Sequence, residues 1–113
     1  MQLNIAEQED VVVITIEEER MDAHNSSDLK EQMLQLFDEG KCNIVIDLSK
    51  VRFIDSSGLG ALVSGFKNAS AREGSLKLCS LQPQVRSMFE LTRLHRVFEI
   101  FNNLDEVLKS FKA

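Results

Sequence analysis

The chain has 113 residues, enough for one domain with a core of its own. Its 43% apolar and 27% charged residues argue against a disordered or membrane-spanning chain, and 18 acids against 13 Lys and Arg, a net charge of −5, leave no basic face for nucleic acid. A basic leader with a long apolar stretch is missing, as is any run approaching the ~20 apolar residues of a membrane span, so a cytoplasmic protein with no direct membrane binding is expected.

In chain order, "QLNI" and the β-branched run "VVVITI" are separated by the polar "AEQED", the pattern of an antiparallel hairpin. After "EEER", the segment from Met21 to Lys41 places Leu29, Met33, Leu36 and Phe37 at helical spacing, with Asp22, Asn25 and Ser26 as candidate N-caps and Gly40 as a stop. "NIVIDL", Asn43 to Leu48, carries an unbroken apolar run, as expected of a central strand buried on both faces. A helix from about Ser57 to Ala71 follows, then "GSLKLCSL" as a strand. Pro83 fits the first turn of a short third helix with Val85, Met88 and Phe89 on its apolar stripe. "VFEIF" reads as a last strand, and Asn103 as the cap of a terminal helix burying Leu104, Val107, Leu108 and Phe111. The whole reads as a single α/β domain over residues 1–113, a mixed central sheet of 4–5 strands with 4 helices.

Cys42 and Cys79 lack any CxxC spacing and read as buried free thiols. His24 and His95 belong to no metal-ligand pattern, so neither a metal nor a cofactor is implied.

The informative stretch is "FIDSSGLGALVSGF", Phe53 to Phe66. Phe53 and Ile54 read as strand, and Leu59, Leu62, Val63 and Phe66 as the apolar face of a helix, which puts Asp55, Ser56 and Ser57 at a helix N-terminus. Unpaired N–H groups and the positive end of the dipole there favour an anion such as phosphate, although capping is the commonest use of serine at such a place. Gly58, Ala61, Gly65 and Ala69 form a stripe of small residues. They either let a partner approach closely or seat the helix on its own sheet. Neither serine stands in a G-x-S-x-G elbow, and "SSGLG" lacks the lysine of a phosphate loop, so no catalytic residue is expected.

Over nearly its whole length the chain resembles the STAS domain of bacterial anti-sigma factor antagonists, and "VRFIDSSGLGAL" closely matches that family's signature. "RMDAHNSSDLK" resembles the segment whose acid opens the first helix, and "IVIDLSKV" the strand before the phosphorylation loop. The resemblance implies a non-enzymatic partner switch: the unmodified form binds an anti-sigma factor of the serine-kinase type, phosphorylation reverses this, and a serine phosphatase restores the binding form. The kinase brings the ATP and Mg²⁺. By matching position to position, Ser56 takes the phosphate, and Asp22, Asp55, Ser57, Gly58, Leu59 and Gly60 lie on the partner surface. Ala61 and Gly65 join them if the small-residue stripe faces outward. Many family members carry a glycine three residues before the acid matched by Asp22, where this chain has Glu19. That acidic run reads as a solvated loop or as an element that tunes kinase choice. A STAS subunit gripping a membrane transporter as a constitutive scaffold is the alternative within the same fold.

Overall fold

The computed structural model describes residues 1–112. Strands β1 (Leu3–Gln8) and β2 (Val11–Ile16) form the expected antiparallel hairpin, turned at Glu9, whose backbone is left-handed (φ 58°). Parallel to β2 run β4 (Asn43–Asp47), then β6 (Ser75–Cys79), then β7 (Ile100–Phe101), so the five-stranded mixed sheet has the order β1-β2-β4-β6-β7. β4 lies in the middle, and its Ile44, Val45 and Ile46 are fully buried.

From β2 onward the sheet grows in one direction by parallel crossovers, which share one hand and therefore place their helices on one face. These are α1 (Ser26–Asp38), α2 (Ser56–Ala71) and α3 (Pro83–Leu91). Strand alternation sends Val12, Ile14, Ile16, Ile44 and Ile46 into the core beneath them. Val11, Val13, Val45 and Cys79 point the other way, into a second and smaller core closed by Val107 of α4 (Leu104–Ser110). Asn103 caps α4 as expected, its Oδ1 accepting the Glu106 N–H at 2.9 Å.

Several expectations shift. Only Ile100 and Phe101 of "VFEIF" join the sheet, because Phe98 is drawn instead into the core, edge-on to Phe66 at 5.3 Å and Phe89 at 5.7 Å. Phe111 follows α4 and is half-buried. Cys79 is buried but Cys42, at the approach to β4, is only half so. A small second sheet was not anticipated: β3 (Arg20–Met21) pairs in parallel with β5 (Phe53–Ile54). Phe53 and Ile54 read as strand in the sequence, but the two residues of β3 are too short a run to leave a periodic signal.

Candidate functional site

Helix α2 begins one residue earlier than the spacing predicts, at Ser56, and Asp55 rather than a serine is its N-cap. The Asp55 carboxylate accepts the N–H of Ser57 at 2.9 Å and of Gly58 at 3.0 Å, while its carbonyl accepts that of Leu59. The expectation of free N–H groups waiting for a phosphate is thereby narrowed, because Asp55 already occupies those of Ser57 and Gly58 with the anion that the helix end favours. Ser56 stands in the first turn with its side chain exposed, Ser57 is half-buried, and Gly60 is exposed. No partner at all approaches the position of a Cβ on Gly60.

The ribbon of β3 and β5 carries the remaining site residue to this end. Register pairs Met21 with Ile54, and the Met21 carbonyl accepts the Asp55 N–H at 3.1 Å, so Asp22 directly follows the contact that Asp55 directly ends. Asp22 shapes the turn into α1: its carboxylate accepts the His24 N–H, its carbonyl those of Asn25 and Ser26, and its own N–H donates to Asn25 Oδ1. Asn25 sits at the N-cap of α1 but spends its side chain on Asp22 and the Arg20 carbonyl, leaving the helix without a side-chain cap. The other Asp22 carboxylate oxygen faces Arg20 Nε at 3.5 Å, and 17% of its side chain remains exposed.

The stripe of small residues turns inward. Gly58 and Ala61 are buried, as are Gly65 and Ala69. A Cβ on Gly58 would stand 2.7 Å from the Met21 carbonyl oxygen and 2.8 Å from Ile54 Cγ1, and one on Gly65 would stand 2.6 Å from Met33 Sδ. These residues seat α2 against the ribbon, α1 and the sheet, and Ala61, 1% exposed, offers nothing to a partner. Leu59 is buried with them and contributes to the core. Of the positions read in the sequence, Asp22, Asp55, Ser56, Ser57 and Gly60 reach the surface, while Gly58, Leu59, Ala61 and Gly65 are buried beneath them.

Two surface residues beside the site were not singled out from the sequence. Phe53 is 42% exposed, and the Arg20 guanidinium lies 4.2 Å from its ring centroid, the stacking geometry of a cation on an aromatic face. Strand alternation carried that signal, since an inward Ile54 requires an outward Phe53. Glu19 needs no glycine: its backbone is not left-handed, and its carbonyl accepts the N–H groups of Arg52 and Phe53. Among the described residues no group of His, Cys, Asp or Glu could hold a metal, and no helix is long and apolar enough to cross a membrane.

The STAS domain model matches residues 2–107, nearly all of this arrangement. The chain belongs to the STAS domain family. An anti-sigma-B factor antagonist of Listeria monocytogenes is 37% identical over 84 residues, 73% of this chain and 72% of that one. The crystal structure of a Thermotoga maritima protein superposes with a TM-score of 0.91 at 25% identity, covering 98% of this chain and 95% of that one. The Bacillus cell fate determinant SpoIIAA in its phosphorylated form has the same fold, with a TM-score of 0.77 at 19% identity over 97% of this chain and 99% of that one. This chain thus has the STAS fold of the anti-sigma factor antagonists.

Proposed function

We propose that the protein is a phosphorylation-controlled partner switch. The unphosphorylated form binds an anti-sigma factor of the serine-kinase type, or an equivalent regulator, and relieves the inhibition it exerts; phosphate on Ser56 abolishes that binding. The observation that carries this reading is an exposed serine in the first turn of α2, directly after a carboxylate that already fills the helix N-terminus. A phosphate on Ser56 finds the N–H groups of Ser57 and Gly58 taken, so its charge is presented to solvent and to whatever docks there.

Magnitudes suffice. Moving a partner from 90% to 10% bound at fixed concentration needs about 2.6 kcal/mol of differential affinity. A phosphate brings about −1.5 to −2 charges, and two unit charges about 4 Å apart near a protein surface interact by about 4 kcal/mol. A partner that places a carboxylate or a closely fitted apolar surface against Ser56 would be expelled. A serine phosphatase returns the chain to its binding form, and no catalytic step falls to the chain itself.

The test is titration calorimetry of the cognate kinase with wild type, Ser56→Ala and Ser56→Asp, alongside mass spectrometry of the kinase-treated protein. Ser56→Ala is expected to bind as wild type does before phosphorylation and to take up no label, while Ser56→Asp binds more weakly. Phosphate found mainly on Ser57, or equal affinities for the two variants, would sink the reading.

A further inference from the structure

A separate surface lies at the end of α3. The turn from Leu91 to Val97 is anchored at both sides by buried rings, Phe89 before it and Phe98 after it, which meet edge-to-face at 5.7 Å. Hydrogen bonds hold it in shape: Thr92 Oγ1 donates to the Met88 carbonyl at 2.7 Å, and the Arg96 and Val97 N–H groups donate to the carbonyls of Arg93 and Leu94 within a 3-10 turn (Leu94–Arg96). Arg93 closes the helix in the left-handed region, φ 61°.

On this fixed turn Leu91 is 79% exposed and Val97 45% exposed, two of the five large apolar side chains left in solvent among the described residues. Scattered exposed apolar residues need no explanation, but these two share one short turn with two cations. Seven Lys and Arg residues reach a carboxylate, among them Arg20, Arg52 and Lys77; Arg93 and Arg96, like Lys30, Lys67, Arg72 and Arg86, form no ion pair among the described residues. In a chain of net charge −5, residues 91–97 hold two arginines and no acid, with Glu90 and Glu99 flanking the turn.

We infer that the Leu91–Val97 turn is a second docking surface, for an acidic protein segment whose apolar side chain covers Leu91 and Val97 while its carboxylates meet Arg93 and Arg96. Charge complementarity selects acid, and the pre-formed turn spares the partner the entropy of ordering it. An anionic bilayer is the weaker match, because polybasic anchoring takes a cluster of about 4–8 Lys and Arg and the remaining surface is acidic. This surface shares no residue with the start of α2.

The probe is a short synthetic peptide of alternating Glu and Leu pairs, titrated into the isotope-labelled full chain, with its Lys counterpart and phosphatidylglycerol–phosphatidylcholine vesicles as comparisons. The acidic peptide is expected to move the amide signals of residues 91–97 and to spare those of 55–60. Its affinity should fall about tenfold in Arg93→Gly/Arg96→Gln and in high salt. Glycine suits the backbone at position 93, so this variant should melt no lower than wild type and the loss is then one of contact, not of fold. Shifts elsewhere, shifts that survive the double substitution, equal binding of the Lys peptide, or attachment to vesicles without peptide binding would each overturn the inference. Failure of Ser56 phosphorylation would leave it untouched.

Discussion

Asp55 and Ser56 are neighbours with separate tasks. Asp55 Oδ1 holds two N–H groups of the first turn of α2, whereas Ser56 makes no side-chain hydrogen bond among the described residues and is exposed. Asp55→Ala is therefore expected to lower folding stability by about 0.5–2 kcal/mol, the usual worth of such a cap. Ser56→Ala should stay within about 0.5 kcal/mol of wild type. Urea unfolding followed by circular dichroism separates the two; equal midpoints for both variants would contradict the cap. The sequence alone placed the serines among the candidate caps because Ser, Asp and Asn all cap well, and only backbone geometry at Asp55, extended at φ −105°, decides among them.

At the level of elements, α2 is seated by what its residues lack. Gly58 lets the helix approach the Met21 carbonyl, so the β3–β5 ribbon and the start of α2 form one unit that joins Asp22 to Asp55. Gly58→Ala is expected to cost about 1–3 kcal/mol by overpacking and to weaken partner binding as the ribbon shifts. Ala61→Arg, which drives a charge into a position 1% exposed, should lose the cooperative melt altogether. A folded Ala61→Arg with intact α2 would show that the stripe opens outward after all. Spacing made the stripe visible but not its direction, since Gly58, Ala61 and Gly65 are equally small toward either side. The long elements were readable because β-branched runs and the Leu29–Phe37 periodicity repeat over many residues; the two-residue strands β5 and β7 were legible in their apolar runs, but β3 and its pairing with β5 depend on contacts far along the chain.

For the molecule as a whole, the sheet separates two cores of unequal size, and Cys79 lies in the lesser one. Burial, assisted by the nearby Asp47 charge and opposed by a Ser80 hydrogen bond, pushes its thiol up from 9.0 to about 11. The folded chain then holds the proton more tightly than the unfolded chain. This contribution to stability is complete below pH 9 and is lost as pH rises toward 11. Urea unfolding across that window should show a steeper decline for wild type than for Cys79→Ala; parallel curves would deny the thiol a part. At neutral pH an alkylating reagent should label the half-buried Cys42 well before Cys79. The covering of this lesser core also bears on how the protein is made. Val11, Val13 and Val45 are synthesised early, but their lid, α4, follows only at Leu104–Ser110. At about 5–20 residues per second on the ribosome, the bare face waits several seconds for its cover, a window in which a chaperone has an apolar sheet to hold.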